Sequence, residues 1–347
     1  MIEILQKVNP ELQSDELIKP TANIVDVRNL TKTYGKQKAL AQANFQIEAG
    51  AIYGFIGPNG AGKTTTLGIL ATLLQPTSGE AYICGLPISQ RKNHYEIRRL
   101  VGYLPDGFGI YERMRVREYL DFYAAAYRIP QPRRTILIDD LLSLVDLTVK
   151  RDTYATALSH GMKQRLGLAR CLVHDPKLLL LDEPANGLDP RARIELRELL
   201  KELSRMGKTI IISSHILTEL SEMCTHAGII ERGQMLATGR INDILQQIGG
   251  NTRRVRVKFR AVAAYADFIS QSLERAPNVT SVQPIETDAL DAGSNLLGFE
   301  LDLNGDEQAQ VELLRYIVVQ KLPLYALTET KGNLEDIFMQ ITQGTVS

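Results

Sequence analysis

Gly57-Pro58-Asn59-Gly60-Ala61-Gly62-Lys63-Thr64 is the stretch on which the reading of this chain turns. It has the spacing Gly-x-x-x-x-Gly-Lys-Ser/Thr, in which glycines let successive backbone N–H groups turn toward one centre and cradle an anion. The apolar run at 52–56 has the length of a buried strand, and 63–73 reads as a helix. A helix starting there aims its positive end at the bound anion. Lys63 is expected to reach the terminal phosphates of a nucleotide. Thr64 is expected to ligate Mg2+, with Thr65 beside it in the same cradle.

Downstream, four leucines at 178–181 run into Asp182-Glu183. A buried strand that ends in acids delivers carboxylates to the sheet edge where α/β folds bind ligands. Asp182 suits the shell of a Mg2+ ion. Glu183 stands one residue on, where it can polarise a water for attack on the terminal phosphate. Between and after these pieces the pattern alternates. Strands are read at 24–27, 52–56, 101–104, 178–182 and 209–213. Helices are read at 63–73, 116–127, 135–145, 160–172, 191–205 and 216–224. This predicts an α/β core around a mainly parallel sheet. The stretch 107–157 is helical only and is expected to be an insertion into that core.

Beyond Gly249-Gly250 the pattern changes. Val255, Val257 and Phe259 alternate with Arg254, Arg256, Lys258 and Arg260, a strand with one solvated face. The order that follows, β-α-β-β-α-β, predicts a small α+β domain of ferredoxin-like type over 251–347. Its last helix sets Leu334, Ile337, Phe338 and Ile341 at helical spacing. Residues 1–23 read as a tail, and 24–248 as the main domain.

Composition narrows the function classes. Lys+Arg and Asp+Glu balance at 40 each, which argues against a nucleic-acid binder acting through bulk basic charge. No run of about 18 apolar residues occurs, so no transmembrane helix is expected. Glu3, Lys7 and Glu11 fall where a signal peptide needs an apolar core. Cys84, Cys171 and Cys224 are too far apart for a zinc site or a disulfide framework, which points to a reducing compartment.

Over about residues 24–245 the chain resembles the ATPase subunit of ABC transporters. Leu158-Ser159-His160-Gly161-Met162-Lys163-Gln164-Arg165 carries the resemblance, because it looks like the signature of that family and stands between the helical insertion and the acidic strand. The resemblance implies a P-loop NTPase core that uses ATP and Mg2+. It implies a dimer, expected to be of identical subunits, in which Ser159 and Gly161 cap the nucleotide held by the other subunit. Tyr34 corresponds to the aromatic that stacks on adenine, Asp189 to the acid of the D-loop, and His215 to the switch histidine. Two positions depart from the family pattern. His160 stands where glycine is commoner, and Asp106 stands where the Q-loop has glutamine. Asp106 is still expected to sense the metal or the lytic water, directly or through a bridging water.

The wording of the signature, of Asn186-Gly187-Leu188-Asp189-Pro190 and of 332–338 is most similar to ATPases of ABC-2-type exporters. These work beneath a separate membrane permease. The implied location is therefore the cytoplasmic face of the membrane, with Phe108 and Tyr111 as candidate permease contacts and no nucleic-acid partner. Tyr119, Phe122 and Tyr123 share a helical spacing and are expected in the core. An amino-acid importer ATPase with a C-terminal sensor, or a soluble regulatory or translational ATPase, are the alternatives.

Overall fold

The computed structural model describes residues 23–216, 220, 223–241, 243–244, 252–285, 296–305 and 307–330. The N-terminal tail before Asn23, most of the helix read at 216–224 and the final helix with Leu334, Ile337, Phe338 and Ile341 lie outside these residues. The chain divides into two compact units, 1–241 and 242–347.

The first unit holds two sheets. Strands β1 (Asn23–Tyr34), β2 (Gln37–Glu48), β4 (Ser78–Ile83) and β5 (Leu86–Pro87) form an antiparallel sheet in the order β2-β1-β4-β5. The second sheet runs β10-β9-β3-β8-β7-β6, built from β3 (Ile52–Ile56), β6 (Val101–Leu104), β7 (Leu178–Asp182), β8 (Thr209–Ser214), β9 (His226–Glu231) and β10 (Gln234–Arg240). All its neighbours pair in parallel except the edge hairpin β9–β10. Every residue of β3, β7 and β8 is buried, as expected of central parallel strands covered on both faces.

Helix α1 (Lys63–Leu70) ends three residues before the expected Leu73. Thr72 takes a left-handed φ of 58°, and the amides of Leu73 and Leu74 both turn back to the carbonyl of Gly68. A second helix, α2 (His94–Leu100), leads into β6. The insertion contributes α3 (Val116–Ala126) and α4 (Gln131–Leu144). Its two ends are stitched together, with Val116 N donating to Thr153 O at 3.0 Å and Ala155 N to Met114 O at 2.9 Å. Helix α4 begins four residues before the expected 135, because Pro130 caps it and a proline is tolerated in its first turn. Tyr119 is fully buried as expected, but Phe122 is 45% exposed. It falls on the flank of a helix whose buried stripe is Val116, Tyr119, Leu120 and Ala124. Helices α5 (His160–Leu172) and α6 (Pro190–Arg205) complete the described helices of this unit.

The second unit is built from β11 (Thr252–Arg260), α7 (Ala266–Glu274), β12 (Val279–Ile285), β13 (Leu296–Asn304), α8 (Glu307–Val319) and β14 (Leu324–Thr330). Its sheet is antiparallel throughout, in the order β12-β13-β11-β14. One face supplies Val255, Val257, Phe259, Phe299, Leu301 and Leu303 to a core shared with Ile269, Leu273, Leu313 and Ile317. The other carries cross-strand ion pairs, Arg254–Asp302 at 2.8 Å and Arg256–Glu300 at 2.8 Å.

Candidate functional site

The loop after β3 is glycine-rich for two separate reasons. A Cβ on Gly57 would stand 2.3 Å from the carbonyl oxygen of Ile230, and one on Gly62 2.4 Å from that of Ala39. Gly62 also holds φ at 112° to start α1, a conformation that L side chains avoid. The loop wraps over Lys63, which is 5% exposed. Its Nζ donates to Gly57 O at 2.7 Å and Pro58 O at 3.3 Å. Thr64 is exposed at the helix start, Thr65 is half-buried, and Thr66 is buried with its hydroxyl on Gly62 O at 2.9 Å.

Strand β7 brings the acids to the same place. Glu183 Oε1 lies 3.3 Å from Lys63 Nζ, and both side chains are largely buried. The other oxygen, Oε2, accepts from Nδ1 of His215 at 2.9 Å. Glu183 itself has φ of 48°. Its amide is held there by Ser213, through the carbonyl at 3.2 Å and the hydroxyl at 2.9 Å. The Ser213 hydroxyl in turn donates to Asp182 Oδ1 at 2.6 Å. Asp182 is 1% exposed, and its Oδ2 has no donor among the described residues. An orphaned carboxylate oxygen at the end of a buried strand is an expensive arrangement without a cation or water to satisfy it. It fits a Mg2+ ion held mainly by phosphate oxygens and water. Among the described residues no cluster of three or more His, Cys, Asp or Glu offers a metal cage. Ser213 is a site residue that the sequence reading gave no role. Its signal was a serine that follows three isoleucines in a buried parallel strand beside the acids.

A second cluster forms at the starts of α5 and α6. Ser159 caps α5, its hydroxyl accepting from Met162 N at 3.3 Å. Asp189 caps α6, accepting from Ala192 N at 2.9 Å. Gly161 faces that first turn, where a Cβ would meet Ala192 at 3.3 Å and Leu188 at 3.6 Å. His160 donates from Nε2 to Asn186 O at 2.9 Å.

Tyr34, at the end of β1, is 48% exposed with Lys32 Nζ 5.0 Å from its ring centre. Asp106 is exposed in the loop after β6. The phenol of Tyr103 is pushed up to about 12, first by burial and then by the charges of Asp182 and Asp106. Phe108 is half-buried, and its ring fills the space where Gly167 lacks a side chain: a Cβ there would lie 2.5 Å from the ring. The Arg170 guanidinium lies over Phe108 at 5.0 Å and over Tyr123 at 5.4 Å. Tyr111 is 49% exposed and meets Phe122 edge-on at 5.5 Å.

The family model described as ABC transporter matches residues 40–186. The chain is 43% identical over 216 residues to the bacitracin transport ATP-binding protein BcrA of Bacillus licheniformis, covering 62% of this chain and 69% of that protein. It is 31% identical over 329 residues to the Nod factor export ATP-binding protein I of Cupriavidus metallidurans, covering 92% of this chain and 97% of that protein. Among solved structures, a dimeric ATP-binding cassette in a post-hydrolysis state with ADP and phosphate superposes with a TM-score of 0.58 at 27% identity. That match covers 62% of this chain and 98% of the other.

Proposed function

This chain belongs to the family of ABC transporter ATP-binding subunits, and we propose that the ATP it hydrolyses drives export through a separate membrane permease. The observation that carries the catalytic reading is the convergence of Lys63, Asp182, Glu183 and His215 beneath one glycine loop.

The adenine stacks on the open ring of Tyr34, and the phosphates enter the loop spanning Gly57, Pro58, Asn59, Gly60, Ala61 and Gly62, with Thr65 beside them. Lys63 exchanges the two loop carbonyls for phosphate oxygens. The Thr64 hydroxyl and Oδ2 of Asp182 would hold a Mg2+ ion, which when bound would neutralise phosphate charge. Ser213 leaves that oxygen available by occupying only Oδ1. As Lys63 turns to the phosphate, Oε1 of Glu183 is released to take a proton from the attacking water. His215 holds the other oxygen and fixes the plane of the carboxylate. Asp106 reaches the same water or cation through a bridging water.

The sandwich dimer brings Ser159 and the N–H of Gly161, at the start of a 13-residue helix, to the partner's terminal phosphate, with Asp189 at the joint. The strand order β12-β13-β11-β14 supports a ferredoxin-like reading of the second unit, whose proposed role is to hold or regulate the dimer. The permease docks on the insertion at Tyr111 and Phe122, with Phe108 offering only the edge of a half-buried ring. No helix among the described residues is long and apolar enough to cross a membrane. In this reading the permease holds the chain on the cytoplasmic face.

The test is to purify the full-length chain from membranes and titrate it with a fluorescent ATP analogue. Co-purification of an integral membrane protein and ATP binding weakened at least about tenfold by Lys63→Ala are expected, since the substitution removes a phosphate contact. Failure of the wild-type chain to bind the nucleotide would overturn the proposal.

A further inference from the structure

His160 and Glu183 are joined by two consecutive hydrogen bonds. Nε2 of His160 donates to Asn186 O at 2.9 Å, and Asn186 N donates to Glu183 O at 3.0 Å. The same peptide loop is shaped to receive the imidazole. Gly187 takes φ of 70°, and a Cβ on it would press within 3.3 Å of Nε2 and 3.5 Å of Cδ2 of the ring. Glu183 needs such support, because its left-handed φ of 48° is one that an ordinary residue adopts only when its surroundings hold it. Ser213 grips its N–H side, and the loop fixed by His160 grips its carbonyl side.

Taking Glu183 as the general base, we infer that His160 is a positioning residue that ties the signature helix to the loop carrying that base. The signature end of α5 faces the partner's nucleotide in the proposed sandwich, while Glu183 serves the chain's own. The histidine therefore links the occupancy of one site to the alignment of the base in the other. A carbonyl can only accept, so Nε2 carries the proton in this contact. Glycine, the commoner residue at this position of the signature, has no side chain with which to make it.

The test compares steady-state MgATP hydrolysis by the full-length chain carrying His160→Ala, His160→Gln and, as reference, Glu183→Gln. One neutral hydrogen bond corresponds to roughly a fivefold effect. His160→Ala is expected to lower kcat about fivefold with KM within about twofold of wild type, and to bring the Hill coefficient for ATP toward one. His160→Gln keeps a donor and is expected to restore at least half the rate. Because His160 is exposed, its removal leaves the core intact, and an unchanged melting temperature checks this. Wild-type kcat in His160→Ala, equal loss in both His160 variants, or a loss confined to KM would each overturn the inference. If Glu183→Gln turns over normally, it is the assignment of the base that fails; if that variant is dead while His160→Ala is fully active, only the link fails.

Discussion

Replacing Glu183 by Gln keeps the shape of the side chain and removes its charge. The backbone strain at φ of 48° is common to both residues and cancels. Two effects remain, and they separate by condition. In catalysis, loss of a general base costs about 10²–10⁴ in rate, or about 2.7–5.4 kcal/mol of barrier. In folding, the buried Lys63 loses its 3.3 Å partner but keeps two carbonyl acceptors. Breaking a buried pair outright costs about 3–5 kcal/mol. With those two acceptors and an amide dipole still in place, we expect about 1–2 kcal/mol. For a unit of this size that lowers the melting temperature by about 2–8 °C. ATP supplies the missing negative charge, so the deficit should vanish when nucleotide is bound. Differential scanning fluorimetry with and without ATP, beside a phosphate-release assay, measures both. Turnover within a few-fold of wild type, or a stability deficit that persists unchanged with ATP, would refute the reasoning.

A mixture of Lys63→Ala and Gly161→Asp subunits should regain activity that neither has alone, because one site in each mixed dimer is free of both changes; no recovery despite proven mixed dimers counts against the shared site. His174 is buried, stacked on Tyr127 at 4.0 Å, and its pKa is lowered to about 4 chiefly by burial. The unfolded chain takes up this proton near pH 6.5 while the folded chain refuses it until about pH 4, so stability falls with pH across that window, by about 2–3 kcal/mol at pH 4.5. In His174→Gln, urea midpoints at pH 7.5 and 4.5 should lie closer together than in wild type, and an unchanged gap would refute the assignment. Gly167→Ala gains about 1 kcal/mol of helix propensity but drives a methyl to 2.5 Å from the Phe108 ring, an overpacking that costs about 1–3 kcal/mol. Net destabilisation is expected, relieved when Phe108→Ala is added; a stabilised single variant would contradict the seat.

The central strands and the phosphate loop were legible because each is encoded locally. Buried parallel strands write themselves as unbroken apolar runs, and the loop needs glycine for reasons of space and φ. Helix α5 was legible to the residue, since Ser159 caps its start. Strands β1 and β2 were harder. The alternation predicts a strand only over 24–27, although β1 continues to Tyr34. Asn29 and Gln42 take left-handed φ values, so bulges break the alternation that a period-two reading needs. The hairpin β9–β10 turns on Arg232-Gly233, both at positive φ, a signal the sequence held in one glycine. In the site, Ser213 and the bond from His160 to Asn186 escaped because they depend on which loops the fold brings side by side. Phe108 looked like a free aromatic beside flexible glycines, yet the space that receives it belongs to Gly167, some sixty positions downstream.

That seat makes Gly167 a socket and Phe108 its pin. From Gly167 to His160 is seven residues of α5, two turns or about 10 Å of stiff rod. The pin is fastened to the loop carrying Asp106, and Arg170 clamps it from above while its guanidinium also holds Tyr103 O at 3.2 Å. The rod has one end against a partner's phosphate in the proposed dimer and its middle gripped by the neighbour of the insertion's aromatic surface. In the proposed complex, a displacement at the insertion would therefore be passed along the rod toward Ser159, and amide exchange along 106–110 and 160–168 should report a single opening event.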